Sequence, residues 1–369
     1  MIRNSQHPSL GTRTPARTED FFDEAQLAGL RAYARPRKRV GLLARSLALV
    51  VDLVLVFGLD VGAELADAVD GGWIVQLFVV GAGFAVITAV IDAPFDYWAT
   101  LVHDRRHGMS NHTAGLWVAD QLKELVLSLV LLAALLVPIY AVVRSVDAWW
   151  LIGGLVFFAI ALVINFAYPV LIMPRFNKFV PMPEGELRTR IEEVAAQAET
   201  TIEGVYTMDG SKRSRRTNAF VAGFGPTKRV VVYDTMVEAF PLEQIAQVVA
   251  HEIGHYRLNH IPKMFPLLAL QMPLTLAFVQ FVGGNDTILG WAGVTESVGS
   301  GSVDLGNPAA LPVFLAAFGV ANVPLGLLNA WLSRRNEREA DLEALELLVE
   351  PSTFVAMWPA MVTLNKADL

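Results

Sequence analysis

The amino-acid sequence predicts an α-helical integral membrane protein with about six transmembrane helices and a small α+β insert on the cytoplasmic side. Three observations support this fold class. The 369 residues are 54% hydrophobic and only 18% charged, whereas soluble domains carry about 25% charged residues. The apolar residues form long uninterrupted blocks without helix or strand periodicity. Lysine and arginine alternate between the loops, as expected for a multi-pass protein.

Six apolar blocks have the length needed to cross a bilayer as helices, which is roughly 20 residues. They are Val40–Leu59, Trp73–Asp92, Leu122–Val143, Trp149–Met173, Met264–Val282 and Leu311–Leu332. A buried helix of a soluble protein could explain one such block, but six blocks in one chain favour a membrane protein.

The loop charges predict the orientation of these spans. Lysine and arginine cluster before the first block, at 31–39, and after the sixth, at 334–338, while 60–72 and 283–310 contain neither. Because positive residues accumulate on the cytoplasmic side, we expect both termini and the insert to be cytoplasmic.

The blocks divide the chain into five parts. These are a cytoplasmic N-terminal tail (1–39), four transmembrane helices in two pairs (40–173), a cytoplasmic α+β insert (174–263), two further transmembrane helices (264–332) and a cytoplasmic helical segment (333–369). In the insert, Glu184–Thr200 has the periodicity of a helix, and Glu203–Met208 and Arg229–Tyr233 are typical of short strands. A further helix is predicted from Leu242 through 255.

The composition excludes several functions. A net charge of −7 gives no basic footprint for nucleic acid, so we expect no nucleic-acid partner. The chain has no cysteine, which rules out disulfides and thiolate metal ligands.

The sequence His251-Glu252-Ile253-Gly254-His255 lies in the last predicted helix of the insert. Histidines at i and i+4 lie on one helical face, so His251 and His255 can bind the same metal ion. Catalytic zinc takes three protein ligands and a water molecule, and it lowers the pKa of that water to about 7. Glu252 is then the candidate general base, so we predict one Zn²⁺ per chain and peptide hydrolysis by zinc-activated water.

The third ligand must come from another segment. The metzincin pattern is excluded, because Ile261 occupies the position of its third histidine. On a continuous helix His260 would face away from His251, so we expect it to be solvated or to act as a cap. Glu337 and Asp341, after the sixth block, share a helical face. One could bind zinc while the other accepts a hydrogen bond from a ligand histidine, and the spacing alone does not decide between them and the neighbouring carboxylates.

Together these motifs resemble the CAAX prenyl protease 1 family of integral-membrane zinc metallopeptidases, from about Asp20 onwards. The segments that carry the resemblance are HEIGH, SRRNEREAD (333–341), GSKRSRRTNAF (210–220), KRVVVYDT (228–235), FNKF (176–179) and RRHG (105–108). The resemblance implies Glu337 as the third zinc ligand and Asp341 as the carboxylate behind a ligand histidine. It also implies that Asn218 and Ala219, with Phe220, bind the substrate on an edge strand. Peptides commonly bind by adding a strand to a sheet edge.

The family encloses a water-filled chamber within the membrane. The intramembrane polar residues are candidates to line it, since such residues rarely face lipid. They are Arg45, Asp52, Asn165, Gln271, Asn322 and Asn329. The family also has a His-Pro motif downstream of Glu337, which this sequence, ending at Leu369, does not contain; either the chain is truncated or this member lacks the motif. Without it we expect zinc binding to survive and turnover to fall, since one lost oxyanion donor costs about 10²–10³ in rate.

The sequence therefore predicts a membrane-embedded zinc endopeptidase whose partners are the lipid bilayer and a peptide or protein substrate, prenylated or otherwise membrane-associated. Two alternatives remain open. One is an HtpX-like membrane quality-control protease, and the other is a zinc-bound inactive protein that binds lipidated peptides. Four spans ahead of the metal motif favour the CAAX protease architecture, and the presence of Glu252 argues against a pure binder.

Overall fold

The computed structural model describes residues 21–223, 227–294, 305–347 and 351–366. In chain order the helices are α1 (Glu24–Phe57), α2 (Val61–Asp67), α3 (Trp73–Tyr97), α4 (Asp104–Arg106), α5 (Ala114–Val143), α6 (Trp149–Ala167), α7 (Met173–Phe176), α8 (Glu186–Gln197), α9 (Asp234–Ala239), α10 (Leu242–Arg257), α11 (His260–Gly283), α12 (Asp286–Trp291), α13 (Leu311–Leu347) and α14 (Pro351–Asn365). The strands are β1 (Phe179–Pro181), β2 (Gly204–Met208), β3 (Ala219–Ala222) and β4 (Arg229–Tyr233).

The predicted fold class is confirmed. Among the described residues six helical segments are long and apolar enough to cross a membrane. They contain α1, α3, α5, α6, α11 and α13, and each overlaps one predicted block. Large apolar side chains on these helices point outward, such as Phe281 (81% exposed) and Leu327 (72% exposed). Such exposure is expected where the surrounding medium is lipid.

The first helix begins earlier than the hydrophobic block. Asp23 accepts a hydrogen bond from the Gln26 backbone N–H at 2.7 Å, and the Gln26 side chain accepts one from the Asp23 N–H at 2.9 Å. This capping box starts α1 at Glu24, so 24–39 is helical where an N-terminal tail was predicted. Residues 1–20 of that tail lie outside the described residues.

The insert contains a four-stranded sheet in the order β1-β2-β4-β3. β2 and β4 pair in parallel, while β1 and β3 pair antiparallel on the two sides. The predicted strands correspond to β2 and β4, and the predicted helix 184–200 corresponds to α8. Residue periodicity did not reveal β1 and β3, because three or four residues carry too little pattern. The sheet and helices α8 and α10 share one core, which includes Ile191, Val230 and Val249.

The last span and the segment after it form a single helix. α13 runs without a break from Leu311 to Leu347, which corresponds to about 55 Å at 1.5 Å per residue. A hydrocarbon core is only about 30 Å thick. The helix is therefore long enough to extend beyond the membrane, and its residue Ala344 joins the core of the insert.

Two large cavities lie in the membrane region and beside the insert. Their volumes are about 1200 and 1110 Å³, and Asp92 and Asp96 line both. Among the predicted chamber residues, Arg45 lines the first cavity and Asp52 the second. The other four differ: Asn165 lines a smaller cavity of about 410 Å³, Gln271 donates to Asn329 at 3.2 Å, and Asn322 donates to the Phe318 carbonyl.

Candidate metal centre

Helix α10 positions the histidine motif because it is strongly amphipathic. Its inner face is buried in the core of the insert through Ile245, Val249 and Ile253, each at most 1% exposed. These residues are spaced four apart, so they form one stripe along the helix. His251 and His255 lie on another face and are half-buried.

Three donor atoms converge at this face. Nε2 of His251 lies 3.2 Å from Nε2 of His255. Oε2 of Glu337, which comes from α13, lies 3.3 Å from the first of these nitrogens and 3.7 Å from the second. Among the described residues this is the group of histidine and acidic side chains whose atoms lie close enough together to hold a metal ion.

The spacing of these atoms fits tetrahedral zinc. Zinc binds imidazole nitrogen and carboxylate oxygen at about 2.0–2.2 Å, with tetrahedral angles. Two ligands at that distance and angle are about 3.3 Å apart, close to the three separations found here. Two nitrogens and one oxygen also form a usual donor set for a catalytic zinc, with a fourth position left open.

Gly254 allows α13 to approach α10 closely. A Cβ atom at this position would lie 3.3 Å from the carbonyl oxygen of Ala340 and 3.3 Å from Cβ of Glu343. The absent side chain thus brings the backbone of α13 within reach of the histidines. Glycine in the motif is explained by this packing between the two helices that supply the donor atoms.

Each histidine has a second partner. Oδ1 of Asp341 lies 2.9 Å from Nδ1 of His251. Nδ1 of His255 lies 2.9 Å from Nδ1 of His260, and Nε2 of His260 lies 3.3 Å from Oε2 of Glu339. The expectation of a solvated His260 is wrong, because this residue is only 3% exposed. Its premise of a continuous helix also fails, since α10 ends at Arg257.

Burial and neighbouring charges shift the pKa values of the motif. Burial raises the pKa of Glu252 to about 7, with His251 opposing and Glu337 reinforcing the shift. Burial lowers the pKa of His255, and the charge of His251 lowers it further. For His251, burial acts to lower the pKa, but the hydrogen bond and charge of Asp341 and the charges of Glu252 and Glu337 together outweigh it and raise the pKa.

The residues predicted to bind substrate lie at the edge of the sheet. β3 pairs with β4 alone among the described strands. The Asn218 carbonyl accepts from the Tyr233 N–H at 3.0 Å, and the ring of Phe220 packs edge-on against Tyr233. Because bonding to the partner alternates along an antiparallel strand, the N–H and C=O of Ala219 point to the free edge.

Two side chains flank this free edge. Asn365 on α14 accepts from the Thr217 N–H at 2.8 Å and donates to the Thr217 carbonyl at 3.0 Å. The hydroxyl of Tyr256 on α10 donates to the Val221 carbonyl at 3.1 Å. Ala219 lies in sequence between Thr217 and Val221, the residues that these two side chains contact. It is only 1% exposed, so the free edge of β3 is covered in this structure.

Sequence reasoning missed four contributors to this region. They are His260, Glu339, Asn365 and Tyr256. For His260 the sequence offered one signal, because Asn259 can end a helix, whereas the burial of His260 is visible only in the structure. The contacts of Asn365 and Tyr256 join residues distant in sequence, and no local pattern marks them.

Models of known families match nearly the whole chain. Residues 6–178 match the N-terminal domain of CAAX prenyl proteases, described as five membrane helices, and residues 181–364 match peptidase family M48. The described part of the first region contains four helices long enough to cross a membrane. The match to family M48 includes α10 and the Glu337 segment of α13.

Individual relatives agree with these models. A CAAX prenyl protease 1 homolog of rice is 36% identical over 222 residues, which are 59% of this chain and 50% of the rice protein. A probable CAAX prenyl protease 1 of fission yeast is 27% identical over 94% of this chain and 75% of its own length. The chain thus spans about half the length of the rice relative.

A solved structure shares the fold. The crystal structure of S. mikatae Ste24p superposes with a TM-score of 0.80, covering 95% of this chain and 85% of that one at 24% identity.

Proposed function

The chain belongs to peptidase family M48, and within it to the CAAX prenyl protease 1 family, and on this premise we propose that it is a membrane-embedded zinc endopeptidase. The observation that carries the proposal is the convergence of His251, His255 and Glu337 from two helices at separations of 3.2–3.7 Å. A zinc ion held there would polarise the scissile carbonyl and acidify a water molecule.

Glu252 is the proposed general base. It follows His251 directly on α10, and its charge interacts with those of His251 and Glu337. Its carboxylate would take the proton of the attacking water and deliver it to the leaving amine. Burial raises the pKa of this carboxylate to about 7, which suits a group that accepts and returns a proton near neutral pH.

The peptide substrate would bind along the free edge of β3. Glu252 and Tyr256 are four residues apart, so they lie on one face of α10. Because the Tyr256 hydroxyl reaches the carbonyl of Val221, this face looks onto β3. The N–H and C=O of Ala219 can then pair with an extended peptide, once the sheltered edge opens.

The cavity beside β3 indicates which class of substrate this site would accept. The cavity of about 1200 Å³ includes Asn218 in its lining and continues between membrane helices past Val40 and Leu42. A peptide bound at β3 could therefore place a lipid group among apolar side chains. This arrangement favours prenylated or otherwise membrane-associated substrates.

The loop charges support a cytoplasmic location for the proposed zinc site. Residues 60–72 and 283–310 lack lysine and arginine, and by the positive-inside rule they face outward. The insert and both ends of the chain then face the cytoplasm.

The test is cleavage of a farnesylated CAAX peptide by the purified chain in detergent, beside Glu252→Gln and a chelator-treated sample. We expect the parent to bind one zinc and cleave the peptide. Glu252→Gln should keep the zinc and lose activity by about 10²–10⁴-fold. A zinc-loaded parent that cleaves neither this peptide nor an unlipidated one would overturn the proposal. Cleavage confined to misfolded membrane proteins would instead support the quality-control alternative.

A further inference from the structure

A chain of polar side chains extends from the far side of His255, beginning with the buried His260 and ending at the exposed Arg335. His260 is 3% exposed, and its Nδ1 lies 2.9 Å from Nδ1 of His255. The other ring nitrogen of His260 lies 3.3 Å from Oε2 of Glu339. Glu339 is held in turn by Arg335, whose Nε lies 2.9 Å from Oε1. The three residues behind His255 thus link α11 and α13 to the metal-facing histidine of α10.

A helix break makes this contact possible. α10 ends at Arg257 and α11 begins at His260, with Asn259 between them in the left-handed conformation, at φ 53° and ψ 42°. Asparagine adopts this conformation more readily than most residues. On an unbroken helix, five positions would turn His260 about 140° away from His255. The break instead directs it back onto the His255 ring.

The proton positions on the two histidine rings follow from the metal site at one end of this series of side chains and the carboxylate of Glu339 at the other. Nε2 of His255 faces the other two proposed metal ligands, His251 and Glu337. This nitrogen must be unprotonated to bind a metal, and the proton of a neutral His255 ring is then on Nδ1. Nδ1–H then donates to Nδ1 of His260, which places the His260 proton on Nε2. That N–H donates to the carboxylate of Glu339, which in its ionised form accepts hydrogen bonds and cannot donate them. In the reverse order, the proton on Nε2 of His255 would block the metal site.

We infer that His260 and Glu339 are positioning residues of the metal site, which fix the tautomer and ring orientation of His255 as Asp341 does for His251. This inference rests on the proposed zinc site. The two arrangements are parallel: Asp341 contacts Nδ1 of His251 directly at 2.9 Å, whereas Glu339 acts on His255 through an intervening ring. Loss of such outer partners typically costs about 10–100-fold in metal affinity.

The test measures zinc affinity of the purified full chain by competition with a chromophoric chelator. His260→Phe keeps the ring volume but has no acceptor for the His255 proton. His260→Asn places an amide oxygen near the position of Nδ1 and restores the acceptor. Glu339→Gln removes the ionised acceptor from a residue that is partly exposed. Glu346→Gln is the matched control, since Glu346 is an exposed glutamate later on the same helix.

We expect His260→Phe to weaken zinc binding by about 10–100-fold, with His260→Asn closer to the parent and Glu346→Gln unchanged. The visible absorption of the cobalt-substituted protein should change for His260→Phe, because the His255 ring reorients. Glu339→Gln should weaken binding by about tenfold, and it carries the test if the His260 variants do not fold.

These measurements distinguish a failure of the proposed zinc site from a failure of the roles inferred for His260 and Glu339. A parent that binds no zinc overturns the proposed function, and this inference with it. If His260→Phe and Glu339→Gln both bind zinc as tightly as the parent does, this inference is overturned and the proposed function is not. Tighter binding by His260→Phe than by His260→Asn would show that the ring acts by packing, which also overturns it.

Discussion

Arg213 holds the carboxylate of Asp120 at two points, with Nε 2.7 Å from Oδ2 and Nη2 3.0 Å from Oδ1. This ion pair joins the segment that leads into β3 to membrane helix α5. Arg216, three residues later, pairs with Asp104 at 3.3 Å. The strand proposed to bind substrate is therefore anchored to the membrane helices immediately before it begins.

Replacing Arg213 with alanine should destabilise the protein strongly. The Asp120 side chain is only 8% exposed, and removing one partner of a buried pair costs about 3–5 kcal/mol. His112 at 3.3 Å and Lys123 at 3.4 Å remain beside Asp120 and offset part of this loss. Thermal unfolding in detergent should therefore begin at a clearly lower temperature. Arg190→Ala is the control: Arg190 pairs with Glu243, which is 53% exposed, and loss of such a surface pair costs about 1 kcal/mol or less. Equal shifts for the two variants would contradict the anchoring role.

Gly154→Ala should disrupt the contact between α6 and α11. A Cβ atom at Gly154 would lie 2.5 Å from both Cα and N of Pro273, and backbone atoms cannot rotate away. Small residues permit such close approach between membrane helices, and overpacking costs about 1–3 kcal/mol. Gly319→Ala, on α13, meets nothing within 4 Å and should be neutral or slightly stabilising. The measurement is thermal stability of both variants in one detergent, and a stable Gly154→Ala protein would argue against this packing.

Glu337→Gln should release zinc. Glu337 supplies the only charged donor atom of the predicted ligand set, and its side chain is 55% exposed. We expect the affinity to fall by more than the roughly 100-fold typical of outer partners, measured as zinc content after dialysis. Glu346→Gln, an exposed position later on the same helix, should retain one zinc per chain.

Chelation should also lower the melting temperature of the parent. A ligand that binds the folded state alone stabilises it, and this ion would connect α10 with α13. The chelator should have little effect on the melting of Glu337→Gln, because that variant holds no zinc to lose.

The absence of cysteine allows the orientation to be tested with single cysteines. Ser145 lies in the exposed loop between α5 and α6, and Glu199 lies at the exposed end of α8. We expect an impermeant thiol reagent to label Ser145→Cys from outside intact cells, and Glu199→Cys only after permeabilisation. The opposite pattern would place the metal site on the outer side.

The sequence determined the elements whose signals are local. Long apolar blocks predicted the membrane helices, because a bilayer requires about 20 apolar residues in a row. Val- and Tyr-rich runs predicted β2 and β4 at nearly their observed bounds. Histidines at i and i+4 predicted one shared ligand face on α10, because helical geometry alone fixes that relationship.

Only the tertiary structure decided how these elements meet. The spacing of Glu337 and Asp341 could not show which carboxylate approaches the Nε2 atoms, since this depends on the close packing of α13 against Gly254. The role of His260 was misjudged because the left-handed Asn259 breaks the helix between it and His255. Helical periodicity is set by neighbouring residues, whereas the partners of a side chain are set by the packing of segments that are distant in sequence.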